Sequence, residues 1–231
     1  MFYLTIEAFN LSERYRTPVI LLSEEIIAHM WDKVTIPKKE DIKIIDRKKP
    51  KIQKELYKPF KPDEDLVPPM AIFGEGYRIH ITGLSHDEDG KPSTYRPEDH
   101  KKLIERLHKK IEHHKEDIVK VEKFHVEDSS ITIITYGACS RSALRTVNQA
   151  RKKGKKVGLL RLITLWPFPT RHVSEVAEQS DILIVPEMNL GQIYHMVKSV
   201  SKGKLVISFP KLGGELHTPS ELLNLIERVS R

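Results

Sequence analysis

The stretch SITIITYGACSRSALRTV, residues 130–147, decides the fold of this chain. Its β-branched run Ile131–Thr135 ends at a glycine, and an amphipathic helical pattern begins directly behind it. A continuous apolar run bounded by a glycine turn is typical of a strand buried in a parallel sheet. Gly137 lets the chain turn tightly from strand into helix, and Ser140 or Ser142 is expected to cap that helix. The stretch therefore predicts a β-α unit.

Three more β-α units are predicted between this stretch and the C-terminus. The four predicted strands are Ile131–Thr135, Lys156–Leu162, Asp181–Pro186 and Leu205–Ser208, and the helices are about Ser140–Lys153, Thr170–Gln179, Leu190–Ser201 and Pro219–Val229. Strands that alternate with helices of this length imply a parallel sheet covered on both faces. The fold class is therefore α/β, an open and mostly parallel sheet, with a domain predicted at residues 129–231.

The N-terminal residues 1–34 are predicted to be an incomplete α/β piece. A helix marked by Leu4, Ala8 and Leu11 ends before Pro18, a short buried strand follows at Val19–Leu22, and a second helix runs from Ser23 to about residue 31. One strand is too few for independent stability, since a sheet needs at least two or three. We therefore expect these residues to be the end of an α/β domain whose earlier strands are missing.

Residues 35–128 are predicted to be an extended connector, because prolines recur among lysines and acids without a lasting period. Within it, Ile79 and Ile81 alternate with polar residues as in a short strand, and a polar loop spans residues 77–90. A helix is predicted at residues 97–118 from an apolar stripe that includes Leu103 and Leu107.

Composition excludes several classes of protein. The chain has 231 residues and one cysteine, Cys139, which excludes internal disulfides and an iron–sulfur cluster held by this chain alone. It has no membrane-length apolar run and no signal-peptide pattern, so a cytoplasmic location is expected, and its Lys, Glu, Arg and Ile content suits a thermophile. The net charge of +7 is compatible with nucleic-acid binding. Because lysines alternate with acids and aromatic residues are sparse, a solvated surface is preferred.

The loop at residues 77–90 is the first candidate functional surface, since polar loops beside a strand often carry function. Its candidate residues are His80, Thr82, Gly83, His86, Asp87 and Glu88. Histidines and acids of this kind bind divalent metals, but the run does not match an EF-hand loop. No metal site is therefore predicted.

The carboxyl edge of the predicted sheet is the second candidate, because ligands bind there in open α/β folds. Its candidate residues are Gly137, Glu187, Asn189 and Gln192. Asn189 is expected to cap the following helix, with subunit contact as the alternative. The turn at Gly137 resembles a phosphate cradle but has one glycine only, so a structural turn is preferred. Cys139 is interpreted as a packed small residue, since the sequence implies no histidine beside it.

Five segments taken in order resemble one enzyme family. They are FYLTIEAFNLSERYRTPVILLSEE (2–25), HITGLSHDEDG (80–90), ITYGACSRSA (134–143), LRLITLWPFP (160–169) and VPEMNLGQ (185–192). Together they resemble the α subunit of 2-oxoacid:ferredoxin oxidoreductases, and the 2-oxoglutarate branch is the closest. The resemblance covers essentially the whole chain, and its specificity comes from the order of the five segments.

The resemblance implies thiamine-diphosphate-dependent oxidative decarboxylation of a 2-oxoacid, with coenzyme A as the acyl acceptor and ferredoxin receiving the electrons indirectly through iron–sulfur clusters. It implies a transketolase C-terminal-like domain at residues 129–231, behind the end of a pyrimidine-binding domain. Partners would be a β subunit, which holds the diphosphate and Mg2+, and γ or δ subunits in a homo- or hetero-oligomer. The loop at residues 80–90 would lie near the active site.

The chain also departs from the family pattern. The motifs Y-P-I-T-P and R-x-G-P-S-T-G, the carboxylate that activates the cofactor, and the G-D-G motif are all absent from it. No catalytic or cofactor-binding residue is therefore assigned, and no cofactor is expected to bind to this chain alone. A C-terminal fragment, a split gene product or a truncated reading frame is expected.

Two functions other than that of an enzyme subunit remain as alternatives. They are a non-catalytic scaffold module of such a complex and a nucleotide-binding α/β protein. No membrane or nucleic-acid partner is expected. An exposed apolar surface is expected at Leu4, Ala8, Leu11 and Val19–Leu22. It would pack against a second copy or a partner subunit, or fold back on residues 130–231.

Overall fold

The computed structural model describes residues 1–230, which fall into two compact units. Unit 1 comprises residues 1–22 and 31–116. Unit 2 comprises residues 23–30 together with the described residues from 117 onward. The short segment 23–30 thus belongs to the unit that contains the sheet, although more than 80 residues of sequence separate the two parts. The last residue of the predicted C-terminal domain, Arg231, lies outside the described residues.

Unit 2 is built on a five-stranded sheet with the strand order β1-β3-β2-β4-β5. Its strands are β1 (Val121–Phe124), β2 (Ile131–Tyr136), β3 (Val157–Leu162), β4 (Ile182–Glu187) and β5 (Leu205–Pro210). Strands β2 to β5 pair in parallel, and β1 pairs antiparallel with β3. The predicted α/β class with a mostly parallel sheet is confirmed.

Strand β1 was not predicted, because its sequence VEKF has neither a long apolar run nor strong β-branching. It is an edge strand whose charged side chains pair across the sheet surface. Arg161 on β3 lies opposite Glu122, and its guanidinium is 2.9 Å from that carboxylate. Such edge strands are formed by pairing with an existing sheet rather than by their own hydrophobic pattern.

Helices cover both faces of the sheet. They are α5 (Cys139–Lys152), α6 (Thr170–Gln179), α7 (Gln192–Val200) and α8 (Pro219–Val229). One core layer packs α5 and α8 against Ile133 and Leu159, and the other packs α6 and α7 against Ile134 and Leu160. Adjacent residues of one strand thus enter opposite core layers, as the two-residue period of a strand requires.

Unit 1 contains the helices α1 (Phe2–Tyr15) and α3 (Pro97–His113). The short helix α2 (Glu25–His29) lies in unit 2, and α4 (Lys115–Ile118) begins in unit 1 and ends in unit 2. Single turns of 3-10 helix occur at Lys39–Asp41 and Lys54–Leu56. No helix among those described has both the length and the apolar composition needed to cross a bilayer.

The long connector is held by side-chain hydrogen bonds to its backbone. The buried Tyr57 donates its hydroxyl to the Pro69 carbonyl and accepts from the amide of Ala71. The side chain of Asn10 on α1 bonds to the backbone of residues 43 and 45. A segment without a hydrophobic period therefore acquires a defined path because its backbone groups find partners.

Two predicted strands are not formed. Val19–Leu22 has no strand partner and its side chains are exposed, with Ile20 at 81% exposure. Around residues 79–82 the structure has no strand, and the nearest pairing is an isolated bridge between His86 and Pro92. Both predictions were wrong because β-propensity in a short run becomes a strand only when a neighbouring strand completes its hydrogen bonds.

The predicted helix at residues 97–118 is two helices. It is interrupted at His114, whose Nε2 lies 2.8 Å from the carbonyl oxygen of Asp65. The predicted apolar stripe is also largely outside the core, since Leu107 is 40% exposed and the one buried side chain of α3 is that of Lys110. Helical periodicity thus identified the helix but not the face that it buries.

Candidate functional site

A connected polar cluster lies where β2 and β4 end, the edge predicted to carry function. Tyr136 ends β2, Glu187 ends β4, and Asn189 follows in the loop before α7. The hydroxyl of Tyr136 donates to Glu187 Oε1 at 3.3 Å and accepts from Asn189 Nδ2 at 2.9 Å. Burial raises the pKa of Tyr136 to about 12, with a further contribution from the negative charge of Glu187. The phenol is therefore a neutral donor at physiological pH.

Glu187 is 1% exposed and bonds to the first turn of α7. Its Oε1 accepts from the amide of Ile193 and its Oε2 from the amide of Tyr194, both at 2.9 Å. The first amides of a helix have no partner within the helix, and the helix dipole favours a negative charge beside them. Glu187 is therefore a buried carboxylate whose charge is balanced by a helix N-terminus.

Asn189 shares this capping role, as the cap interpretation proposed. Its Oδ1 accepts from the amides of Gly191 at 2.8 Å and Gln192 at 3.1 Å. The Gln192 side chain itself is exposed. The position of Asn189 behind a strand predicted the cap, but no sequence pattern indicated that the carboxylate of Glu187 would bond to the same helix.

Gly137 forms the turn between β2 and α5 with a φ of 57°, the left-handed region that favours glycine. A Cβ added there would lie 1.6 Å from Oε1 of Glu24, which accepts a 2.8 Å hydrogen bond from the amide of Ala138. The carboxylate of Glu24 thus caps α5 from a remote segment. Its other oxygen, Oε2, is buried without a hydrogen-bond partner in the described part of the chain.

The predicted capping of α5 by Ser140 or Ser142 is wrong. The helix begins at Cys139, one residue earlier than predicted, and no side chain of its own first turn caps it. The hydroxyl of Ser140 is buried without a partner among residues 1–230. A serine inside the first turn is too far along the helix to accept from the amides that the cap position serves.

Cys139 is 4% exposed and has a histidine neighbour that the sequence did not reveal. Its Sγ lies 3.7 Å from Nδ1 of His217, and Nε2 of that imidazole lies 2.8 Å from the Phe209 carbonyl oxygen. A carbonyl accepts only, so Nε2 carries the proton and Nδ1 accepts from the thiol. Burial raises the pKa of Cys139 to about 11, with the charges of Glu24 and Glu187 adding to the effect. The thiol is thus protonated and packed, in agreement with the prediction of a packed small residue.

The first candidate, the loop that contains residues 80–90, is ordered largely by its own hydrogen bonds. Asp87 Oδ1 accepts from the amide of Lys91 at 2.9 Å, and the amide of Asp87 donates to the Lys91 carbonyl at 3.1 Å. The ring of His86 stacks on Phe60 with centroids 3.9 Å apart. A Cβ at Gly90 would lie 2.3 Å from the His80 carbonyl oxygen, so the loop closes on itself only with glycine there.

The remaining predicted residues of this loop are at its surface. His80, Gly83 and Glu88 are exposed, and Thr82 is half-buried with its hydroxyl accepting from the amide of Leu84 at 3.2 Å. The loop belongs to unit 1 and the sheet edge to unit 2. Glu88 is the loop carboxylate most available to an outside molecule, because no side-chain hydrogen bond engages it within the described chain.

The residues present do not fit the metal-dependent cofactors that the resemblance implies. Among residues 1–230, no three His, Cys, Asp or Glu side chains are grouped as ligands of an ion. A diphosphate–magnesium site needs oxygen ligands from the protein, and an iron–sulfur cluster needs about four thiolates. The carboxylates at the sheet edge are already bonded to helix amides, and the one thiol is protonated.

The close approach of Glu24 to Gly137 generates a test by double-mutant cycle. Gly137→Ala should lower the free energy of unfolding by more than the roughly 1–2 kcal/mol that a left-handed alanine costs, because its methyl group displaces the Glu24 carboxylate. In a Glu24→Ala background the same substitution should cost only the backbone strain. Chemical denaturation monitored by circular dichroism measures both values.

The matched control for this cycle is Gly154→Ala. Gly154 has a φ of 75° and open space around the added Cβ, so it reports the strain alone. Equal costs of Gly137→Ala in the presence and absence of Glu24 would contradict the contact.

The protonated state of Cys139 predicts poor reactivity toward thiol reagents. At pH 8, about three pH units below the folded pKa, the buried thiol should react with a disulfide reagent at least tenfold more slowly than the same chain in denaturant. The absorbance of the released thiolate follows the reaction, with one thiol per chain as the end point. Rapid labelling of the folded protein would show that the site is open and ionised.

Two protein families match the chain in sequence order. Residues 1–106 match the family described as pyruvate flavodoxin/ferredoxin oxidoreductase, thiamine diphosphate-binding. Residues 129–222 match the family described as pyruvate:ferredoxin oxidoreductase core domain II. Together the two matches include both candidate sites.

Curated relatives carry the name of one subunit. The chain is 46% identical over its whole length to 2-oxoglutarate synthase subunit KorA of Methanothermobacter thermautotrophicus, of which it covers 61%. It is 45% identical over 96% of its length to the same subunit of Methanocaldococcus jannaschii, of which it covers 59%. The chain thus spans about three fifths of the length of these relatives.

A solved structure has the same fold over the same range. A 2-oxoglutarate:ferredoxin oxidoreductase from Magnetococcus marinus, with 2-oxoglutarate, coenzyme A and succinyl-CoA bound, aligns with a TM-score of 0.91 at 30% identity. The alignment covers 99% of this chain and 40% of that one. By sequence and by fold, the chain belongs to the α-subunit family of the 2-oxoacid:ferredoxin oxidoreductases.

Proposed function

We propose that this chain is part of the α subunit of a thiamine-diphosphate-dependent 2-oxoglutarate:ferredoxin oxidoreductase. Such an enzyme converts 2-oxoglutarate and coenzyme A into succinyl-CoA and CO2, and two electrons leave through iron–sulfur clusters to ferredoxin. The observation that carries the proposal is the 46% identity over all 231 residues to a subunit named 2-oxoglutarate synthase. Relatives named for ketoisovalerate are only 29–30% identical over 98% of the chain.

The role of this chain in that complex is to complete an active site built by several polypeptide segments. The cofactor would be bound together with other parts of the complex, including a β subunit. The exposed apolar residues of the segment after α1, such as Ile20 and Leu22 at 81% and 75% exposure, provide a surface for these partners. A scaffold module without a part in catalysis is the alternative.

Substrate preference tests the proposal. The complex is isolated through an affinity tag on this chain and given coenzyme A, an oxidised viologen dye and one 2-oxoacid at a time. We expect dye reduction with 2-oxoglutarate and at least tenfold lower kcat/KM with 2-oxoisovalerate or pyruvate. A preference for 2-oxoisovalerate would contradict the substrate, and a tagged complex without dye reduction on any 2-oxoacid would favour the scaffold.

The loop of residues 80–90 is proposed to lie beside the active site. Because the exposed Glu88 side chain makes no hydrogen bond within the described residues, Glu88→Gln should leave the fold intact but lower kcat/KM for 2-oxoglutarate at least fivefold. The matched control is Glu64→Gln, an exposed carboxylate elsewhere in unit 1, which should leave the rate unchanged. Equal rates for both variants, with unchanged melting temperatures, would place the loop away from the reaction.

A further inference from the structure

A pocket in unit 1 is lined by three cationic side chains that no function above uses. It has a volume of about 160 Å3. Its lining consists of Arg16, Arg106, Lys110 and His86 together with the apolar side chains of Phe60, Pro68, Leu103 and Leu107. No carboxylate is among the residues that line it.

Lys110 is the most buried of these cations, at 2% exposure. Its Nζ donates to the carbonyl oxygens of Tyr15 at 2.7 Å and Arg16 at 3.2 Å, which are freed where α1 ends. An ammonium has three donors, so one remains for another acceptor. Both acceptors are neutral carbonyls, which leaves the buried positive charge of Lys110 without a negative partner.

The two arginines also have donors to spare. Nη1 of Arg16 donates hydrogen bonds to the carbonyl oxygens of Pro59, Pro68 and Pro69. The other guanidinium nitrogens form no hydrogen bond with the described residues. Its guanidinium lies 4.9 Å from the centroid of the Phe60 ring. The side chain of Arg106, on α3, makes no hydrogen bond or ion pair within residues 1–230. A half-buried guanidinium with no partner is costly unless an outside acceptor meets it.

The cations lower one another's pKa values. Burial, followed by repulsion from Arg106 and Arg16, lowers the pKa of Lys110 to about 8. Burial and then the charge of Arg16 lower the pKa of Arg106, and the attraction of Glu88 is a smaller opposing effect. Since Glu88 is exposed and forms no ion pair with Arg106, the positive charge of the pocket is not neutralised within the described chain.

We propose that this pocket binds a phosphate group. The planar donor forks of two arginines and the remaining proton of a lysine match the oxygens of a tetrahedral dianion. The volume lies below the roughly 300 Å3 at which pockets for whole organic ligands begin. It suits one phosphate group, either free or at the end of a larger molecule that extends out of the pocket.

The test is calorimetric titration of the full chain with inorganic phosphate at pH 7 and constant ionic strength set by sodium chloride. Saturable binding at one site is expected, and Arg106→Gln should weaken it at least tenfold. Since Arg106 is only half-buried and unbonded, this variant should fold, with a melting temperature without phosphate no lower than that of the wild type. The matched control is Arg145→Gln, an exposed arginine of unit 2, which should bind phosphate like the wild type.

A second titration with adenosine 5′-monophosphate distinguishes the sources of the phosphate. Binding of the nucleotide that is equally sensitive to Arg106→Gln assigns the pocket to the phosphate end of a larger molecule, whereas binding of inorganic phosphate alone assigns it to the free ion. The absence of saturable binding of either probe, or equal affinities in the Arg106→Gln and Arg145→Gln variants, would overturn the proposal. The test needs no enzymatic activity and is therefore independent of the proposed function.

Discussion

The structure of unit 2 depends on the burial of strand β2 between two parallel neighbours. Five of its six residues are buried, and it pairs with β3 on one side and β4 on the other. Its backbone groups therefore find partners inside the sheet, while Ile133 and Ile134 each enter a different core layer. Because its neighbours are parallel, the chain must cross over the sheet through a helix after each strand. The strands β2 to β5 therefore all end at the same edge of the sheet.

Two carboxylates at that edge accept hydrogen bonds from backbone amides at helix N-termini. Glu187 accepts from two amides of α7, and Glu24 accepts from the amide that precedes α5. A helix N-terminus attracts an anion, and in many α/β proteins a ligand phosphate fills this role. Here the chain supplies the anions itself. The turn at Gly137 resembles a phosphate cradle, but the carboxylate of Glu24 lies where a phosphate would bind.

Unit 1 has the opposite electrostatic character. Its helix α3 buries a lysine among arginines, with neutral carbonyl groups as its acceptors. Uncompensated charge of this kind is expensive in a folded protein and is commonly found where a ligand or partner supplies the opposite charge. At the sheet edge, backbone amides of the chain bind the carboxylates. In the pocket of unit 1, the cations have no anionic partner among the described residues, so they are available to bind one.

The sequence by itself determined the α/β class, four of the five strands and the family, because buried strands and their helices have strong local periods and the five segments occur in a fixed order. It also identified Asn189 as a cap from its place behind a strand. Only the tertiary structure decided the partners of Cys139 and Gly137, since His217 and Glu24 are 78 and 113 residues away along the chain and no local pattern records such contacts. It likewise decided that Val121–Phe124 is a strand and Val19–Leu22 is not. The physical reason is that a strand forms only where a neighbouring strand completes its hydrogen bonds. Likewise, the properties of a charged group depend on its desolvation and on its neighbouring groups, which are set by the tertiary fold.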